Sequence, residues 1–178
     1  MPHEPKRKPR PPLDSEGLER LALFYAGRYA TTRAKLRAYL VRKAKERGWG
    51  GEGEPPVDTL VARLAGLGYV DDRSFAASRA ASLGRRGYGE RRVRDALTAA
   101  GIEEEDAAPA REQAREGAWD AALRFAERKR IGPFAQAELD RPGREKAMAA
   151  MLRAGHPLPI ARRLVGAKPG IIPDMDAP

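Results

Sequence analysis

The sequence of 178 residues predicts an all-α protein, and three observations support this fold class. Apolar residues recur three or four positions apart, which places them on one face of a helix. Alternating runs of β-branched residues, which would indicate strands, are absent. Segments rich in Gly and Pro divide the apolar stretches into helix-sized pieces. The clearest stripes in the N-terminal part are Leu18, Leu21, Tyr25 and Tyr29, then Leu36, Leu40 and Ala44, then Val57, Leu60, Val61 and Leu64.

The first two helices have candidate N-caps in polar side chains. Asp14 or Ser15 precedes the first stripe, and Thr31 or Thr32 precedes the second. Their side-chain oxygens can accept hydrogen bonds from the free amides of a first helical turn. The second helix then ends in a loop at residues 48–56 (GWGGEGEPP), because four Gly and two Pro in nine residues do not sustain a helix.

Later helix boundaries follow the same logic. Gly101 ends one helix, and the acidic residues 103–106 favour the start of the next, since negative charge is stabilised at a helix N-terminus. We expect Pro109 to kink or split that helix, because proline removes a backbone donor and clashes with the preceding turn. The remaining boundaries are Asp71-Asp72, which can start a helix, the turn at 84–89, and the breaks at 132–133 and 141–143.

The helices recur in a similar order, which indicates an internal repeat. The apolar spacing of Leu36, Leu40 and Ala44 returns at Val93, Leu97 and Gly101 and again at Ala147, Met151 and Gly155. A unit of about 50 residues buries little apolar surface alone, so the units should stack on one another. The predicted organisation is a disordered basic arm at 1–13, three-helix repeats at 14–70, 71–117 and 118–168, the last irregular, and a flexible tail at 169–178.

The composition argues against most classes of enzyme. Without Cys, the chain has no disulfide, zinc-thiolate site or cysteine nucleophile. His3 and His156 lack a partner His at metal spacing, and no phosphate-loop or dinucleotide motif is present. No apolar run approaches the roughly 18 residues of a membrane span, and the N-terminal segment lacks the apolar core of a signal peptide. The composition therefore indicates a soluble basic protein without cofactor, metal or membrane contact, and the absence of Cys is compatible with an ordinary reducing cytosol.

The net charge of +9 is unevenly distributed along the chain. Residues 33–47 carry a local charge of +6 and residues 79–94 one of +5, whereas residues 102–117 carry −4. The second basic segment surrounds a glycine turn and a helix start, which would place guanidinium groups near free backbone amides, a setting that suits phosphate or carboxylate. The candidate partner-binding or DNA-binding residues are Arg85, Arg86, Arg91, Arg92 and Arg94, followed by Arg37, Arg42 and Lys43.

Other interpretations compete with these. Charged helix faces are most often simply solvated. A helix-turn-helix with Arg91, Arg92 and Arg94 at the start of a recognition helix is disfavoured, because the chain has no Asn and few Gln to read bases. Trp49 is either an exposed contact residue or a loop tryptophan folded back on the core.

Residues 67–76 (LGYVDDRSFA) form the most distinctive motif. Gly68 ends a helix, Tyr69 and Val70 insert into a core, and Phe75 is buried. Asp71 or Asp72 caps the next helix. A metal or acid–base role for the two carboxylates is the alternative, and adjacent carboxylates at a helix start are more often caps.

This motif resembles the G-Y-[LIV]-[DN]-D-x-x-[FY]-A signature of the RecX regulatory-protein family. The stretch from Leu21 through Leu40 is similar to the family's opening pattern. Residues 87–102 resemble its G-x-G-x-x-[RK]-[IV] stretch. Lys35 and Asp95 depart from the family pattern, since an acidic residue and a Glu are usual there.

The resemblance implies three tandem three-helix repeats in a curved, elongated array. It also implies a monomeric, cytoplasmic, non-enzymatic regulator that binds the RecA recombinase filament on single-stranded DNA and inhibits its extension and activity, with effects on recombination, DNA repair and the SOS response. Direct contact with the backbone of single-stranded or double-stranded DNA is compatible with the charge. The alternative function is a general nucleic-acid-binding helical protein without a recombinase partner.

Overall fold

Helices account for the regular secondary structure of residues 11–175, the part of the chain that this computed structural model describes. Nine α-helices and one 3-10 turn occur there, with no β-strand, and the predicted all-α class is confirmed. The helices are α1 (Ser15–Arg28), α2 (Arg33–Arg47), α3 (Val57–Gly66), α4 (Asp72–Arg85), α5 (Glu90–Ala99), α6 (Glu104–Glu116), α7 (Ala118–Lys129), α8 (Arg141–Arg153) and α9 (Leu158–Gly166), with the 3-10 turn at Gly132–Phe134 between α7 and α8.

Helices α1, α2 and α3 form the first of two compact units, which ends at Asp71. Their predicted apolar stripes meet in one core, so the periodicity of the sequence identified the buried faces. The sequence places Tyr29 on the apolar stripe of the first helix, but its side chain is not part of the buried face, because it is 50% exposed. The buried residues of this core are Leu13, Leu18, Ala22, Leu36, Leu40, Val57, Leu60, Val61, Leu64 and Val70.

The loop after α2 is tied to the chain before α1. The amide of Leu13 donates to Gly48 at 2.9 Å, and the amide of Gly50 donates back to Leu13 at 2.8 Å. The Arg47 guanidinium donates to the Pro11 carbonyl at 2.9 Å. Residues 11–13, which were assigned to the disordered arm, are therefore anchored, and Leu13 is a core residue because its side chain is buried. The rest of the predicted arm, residues 1–10, lies outside the described residues.

Helices α4 to α9 belong to the second compact unit. One core lies among α4, α5 and α6, and a second lies among α7, α8, α9 and the 3-10 turn. Tyr88 packs against both cores. The predicted repeats 71–117 and 118–168 thus lie within a single compact unit, and the division of the chain into three repeats stays a prediction.

The predicted N-caps of the first two helices are confirmed, and the structure decides between the alternatives. The Asp14 carboxylate accepts from the Gly17 amide at 2.7 Å, and the Thr32 hydroxyl accepts from the Lys35 amide at 3.2 Å. Thr32 is fully buried, so its hydroxyl satisfies this amide in a place that water does not reach.

The sequence predicted that Pro109 would kink or split its helix, and the structure contradicts the split. Helix α6 runs without interruption from Glu104 to Glu116 with Pro109 inside it. Pro109 and the residue before it are exposed, while Ala107 and Ala110 are buried. The carbonyl that loses its helical donor therefore lies on the solvent side, where water can satisfy it.

Two further expectations require correction. Val70 is buried as predicted, but Tyr69 is 55% exposed, and Phe75 is only partly buried against the α4–α6 core. In the predicted flexible tail, the Gly170 amide donates to the Pro133 carbonyl at 2.8 Å, so the start of the tail is attached to the 3-10 turn. Residues 176–178 lie outside the described residues.

Candidate partner and nucleic-acid interface

The turn between α4 and α5 lies directly against the backbone of α7. Gly87 has a φ of 74°, a left-handed conformation that glycine adopts at little cost. A Cβ atom at this position would lie 2.7 Å from the amide nitrogen of Phe125 in α7. Glycine is therefore required here both by the backbone conformation and by the close approach of α7.

The start of α5 is covered by the turn between α8 and α9. The Gly89 amide donates to Ala154 at 3.0 Å, and the Arg91 amide donates to Gly155 at 3.3 Å. The Arg92 amide bonds to Gly89 within its own turn at 3.0 Å. The sequence predicted that guanidinium groups would lie beside free backbone amides. This prediction is wrong for the amides of Gly89, Arg91 and Arg92, because all three already donate hydrogen bonds within the protein.

His156 connects the same two turns. Its Nε2 lies 3.1 Å from the Gly87 carbonyl oxygen, and the side chain is 3% exposed. Burial lowers the pKa of His156 from 6.5 to about 4, although the bond to Gly87 opposes this shift. The imidazole is therefore neutral near pH 7, and its Nε2 donates to the carbonyl. This residue acts as a structural link within the second unit.

Three guanidinium groups converge on the ring of Tyr88. The distances from the guanidinium carbon to the ring centroid are 5.3 Å for Arg86, 6.0 Å for Arg92 and 5.8 Å for Arg128. Distances of about 6 Å or less are typical of cation–π contacts. We call these four residues the Tyr88 cluster. It contains two of the predicted arginines and one, Arg128, that the sequence analysis missed.

Arg128 reaches the cluster from α7 and is fixed there by the backbone. Its guanidinium donates to the Arg86 carbonyl and also lies 5.3 Å from the centroid of Phe125. In the sequence, Arg128 belongs to a basic helix end that resembles ordinary C-terminal capping. Only the packing of α7 against the α4–α5 turn shows that it joins Arg86, which lies 42 positions earlier in the chain.

The other predicted arginines of the second unit, Arg85, Arg91 and Arg94, each have a different environment. Arg85 lines a cleft of about 200 Å³ together with Arg124. The Arg91 guanidinium donates to the Leu152 carbonyl, and Arg94 lies 3.8 Å from Asp95. These side chains are distributed around the turn and do not form one site.

The predicted cations of the first unit are partly neutralised by carboxylates. Arg37 donates to Asp58 at 2.6 Å, and this hydrogen bond, followed by the charge of Arg37, lowers the pKa of Asp58. Arg42 and Lys43 share Glu46, at 3.5 and 2.6 Å. The hydrogen bond from Lys43 is the main cause that lowers the pKa of Glu46.

Trp49 is folded back on the core of the first unit, against which its ring packs. The Nε1 atom is buried and has no hydrogen-bond partner among the described residues. Trp49 is therefore a loop tryptophan folded back on the core, and the alternative prediction of an exposed contact residue is wrong.

The alternative metal site at Asp71 and Asp72 receives no support. Asp72 is 4% exposed at the start of α4. Within residues 11–175, no group of three or more His, Asp or Glu side chains is arranged to hold a metal ion. None of the helices in this range has the length and apolarity needed to cross a bilayer.

Comparison with known proteins gives consistent matches. The family model described as "RecX, second three-helix domain" matches residues 71–110. The "Regulatory protein RecX" of Myxococcus xanthus (strain DK1622) is 33% identical in an alignment 162 positions long, and the alignment covers 85% of this chain and 86% of that protein. A protein of the same name from Thermus thermophilus is 36% identical over 93 residues, which cover 52% of this chain and 58% of that protein.

Two solved structures share the fold. The crystal structure of RecX from Lactobacillus salivarius superposes with a TM-score of 0.62 at 18% identity, covering 85% of this chain and 94% of that one. A second crystal structure of a regulatory protein RecX gives a TM-score of 0.59 at 21% identity, covering 85% and 73%.

Proposed function

Because the chain belongs to the RecX family of regulatory proteins, we propose that it binds the RecA recombinase filament on single-stranded DNA and inhibits the filament's extension and activity. Through this inhibition it modulates recombination, DNA repair and the SOS response. The action is binding in the cytoplasm, without catalysis.

The Tyr88 cluster is the observation that carries this proposal. Its three guanidinium groups lie around one ring, and two of its arginines come from the segment that matches the family model. Among residues 11–175, none of the three forms an ion pair with a carboxylate. Glu90, which lies between Arg86 and Arg92 in the sequence, is bound instead by Arg111 at 3.0 Å.

This arrangement suits an anionic partner. Guanidinium groups bind carboxylates and phosphates through paired, charge-assisted hydrogen bonds. The ring of Tyr88 and the fixed turn restrict the side chains before binding, which reduces the entropy lost on association. An acidic surface of the recombinase, or a DNA phosphate in its filament, would meet a cation group that is already assembled.

The test compares two double variants that remove the same charge. Arg86→Gln with Arg92→Gln depletes the cluster. Arg115→Gln with Arg141→Gln removes two exposed arginines whose ion pairs are local, with Glu112 and Glu145. Local pairs of this kind contribute little to stability. The readout is the DNA-dependent ATPase activity of RecA at substoichiometric amounts of each protein.

We expect the wild type and the local-pair control to lower the ATPase activity equally. The cluster variant should require about tenfold more protein, since losing contacts to charged groups costs about 1.5 kcal/mol or more. No effect of the wild type would contradict the proposed function and favour a nucleic-acid-binding protein without a recombinase partner. Equal potency of both variants would exclude the Tyr88 cluster as the contact.

A further inference from the structure

A row of aromatic side chains lies on α1 and α2 in the first unit, far along the sequence from the Tyr88 cluster. Tyr25 stacks on Tyr39, with ring centroids 4.2 Å apart and planes 16° from parallel. Tyr29 follows at 5.3 Å from Tyr25. Phe24, next to Tyr25 in α1, is 58% exposed, and Tyr29 is 50% exposed. We call Phe24, Tyr25, Tyr29 and Tyr39 the aromatic row.

Cationic side chains accompany the row on both helices. The Arg28 guanidinium lies 5.9 Å from the centroid of Phe24 and 5.8 Å from that of Tyr29. Arg42 and Lys43 lie 5.7 and 5.9 Å from the centroid of Tyr39. The row is therefore associated with positive charge at its two exposed rings, at and just beyond the end of α1, and at its inner ring Tyr39 on α2.

The cations on α2 have a carboxylate partner, whereas Arg28 on α1 has none among the described residues. Glu46 pairs with both Arg42 and Lys43, so it offsets part of the positive charge on α2. Arg28 has no carboxylate partner in the part of the chain that the structure describes. The two most exposed rings thus share one cation whose charge no neighbouring acid compensates.

The exposed rings contribute little to the fold. Phe24 and Tyr29 are absent from the set of side chains that build or line the core of the first unit, whereas Tyr25 and Tyr39 pack against it. Leaving a large apolar ring in water costs free energy that burial would recover. The inner pair therefore supports the row, and the outer pair is available to a ligand.

We propose that the aromatic row binds single-stranded nucleic acid directly, with bases stacking on Phe24 and Tyr29 and with Arg28 contacting the phosphate backbone. Flat rings interleaved with cations are the combination that such ligands require, because every base has a π-face and every linkage has a negative charge. A duplex is disfavoured as the ligand, since its bases are already stacked on one another. This function needs no recombinase and uses residues outside the Tyr88 cluster.

A protein partner fits the surface less well. A protein ligand would usually place an anchoring side chain in a pocket. One cleft among the described residues of the first unit, about 170 Å³, is lined by Ser15, Thr59 and Arg63 among others, and it includes no member of the row. Ring faces next to an uncompensated arginine suit flat, anionic ligands.

The experiment measures binding of the full chain to a fluorescein-labelled oligothymidylate by anisotropy, without RecA. The test variant is Phe24→Ala with Tyr29→Ala. The matched control is Leu67→Ala with Tyr69→Ala, which removes one exposed apolar residue and one exposed tyrosine from the same unit, at 65% and 55% exposure. Thermal melting of both variants confirms that they fold.

We expect the test variant to bind the oligothymidylate at least about tenfold more weakly, because each lost stack weakens binding by roughly tenfold. The control should bind as the wild type does. The wild type should also prefer the single strand to a duplex of the same length. Unchanged affinity of the test variant, or equal affinity of the wild type for duplex, would overturn the proposal.

A further outcome separates this inference from the proposed function. If Phe24→Ala with Tyr29→Ala leaves binding to the oligothymidylate intact and abolishes the effect on RecA, the row is a protein contact and the inference fails while the proposed function stands. If the variant loses affinity for the oligothymidylate and the wild type has no effect on RecA, the inference stands and the proposed function fails.

Discussion

The Nε2 atom of His156 lies 3.1 Å from the carbonyl oxygen of Gly87, and this buried contact spans 69 positions of sequence. It joins the α8–α9 turn to the α4–α5 turn, which carries Arg86 and leads directly into Tyr88. The position of the Tyr88 cluster therefore depends on residues near the end of the second unit. Changes at His156 should reach the cluster through the backbone, without removing any of its charge.

The stability of the protein should fall in acid because of His156. Its pKa is lowered from 6.5 to about 4 by burial, so the folded state stays neutral where the unfolded state takes up a proton. The stabilisation is fully present above about pH 6.5 and is lost as the pH falls toward about 4. A shift of this size corresponds to about 3 kcal/mol.

Urea unfolding of the wild type and of His156→Gln at about pH 7 and about pH 4 isolates this effect. Glutamine can still donate to the Gly87 carbonyl but does not titrate. The unfolding free energy of the wild type minus that of His156→Gln should therefore fall by about 3 kcal/mol between about pH 7 and about pH 4. A gap that stays constant with pH would contradict the assignment of the titration to His156.

Gly89→Ala should destabilise the second unit severely. A Cβ at this position would lie 2.3 Å from the Gly155 carbonyl oxygen, which is backbone and cannot turn aside. We expect a loss of about 3 kcal/mol and a lower melting temperature. Gly84→Ala is the control, because nothing lies within 4 Å of its Cβ and alanine favours the α4 helix. Equal melting temperatures for the two variants would show that the turns do not approach this closely.

Thr32→Ala should lower the unfolding free energy by about 1 to 2 kcal/mol. The hydroxyl caps α2 by accepting from the Lys35 amide, and the residue is fully buried, so water cannot replace it. Thr59→Ala removes an exposed hydroxyl from α3 in the same unit and should change the free energy by less than about 0.5 kcal/mol. Chemical denaturation of both variants measures the difference, and a loss at Thr59 as large as that at Thr32 would refute the capping role.

The face of the Tyr88 ring, and not its hydroxyl, should matter for activity. Tyr88→Phe keeps the surface on which Arg86, Arg92 and Arg128 lie, so its inhibition of the RecA ATPase should match that of the wild type. Tyr88→Leu fills a similar space without a π-face and should inhibit several-fold less. Equal inhibition by the leucine variant would mean that the ring does not organise the arginines.

Local sequence signals were sufficient for the helices. The apolar spacing of Leu36 and Leu40 identified a buried face, and the Thr31-Thr32 pair placed the start of α2 to within one residue, because both signals depend on neighbours within one or two turns. Pro109 misled the same reasoning, since its cost depends on whether the orphaned carbonyl faces water. That property belongs to the packed molecule and not to the helix.

The candidate sites depended on contacts that the sequence does not encode locally. Arg128 joined Arg86 only through the packing of α7 against a distant turn. Tyr29 continued an apolar stripe in the sequence, yet it lies beyond the part of α1 that the core covers. The periodicity therefore predicted which residues share a helix face, but it did not predict where along that face the packing against the core ends.

Whether the protein limits RecA filaments is measured by the assembly kinetics of RecA on single-stranded DNA. Filament growth is followed in the presence of substoichiometric wild-type protein, Arg86→Gln with Arg92→Gln, or the Arg115→Gln with Arg141→Gln control. We expect the wild type and the control to slow or shorten growth equally, and the cluster variant to have a much weaker effect. Normal filament growth in the presence of the wild-type protein would contradict an inhibitory role.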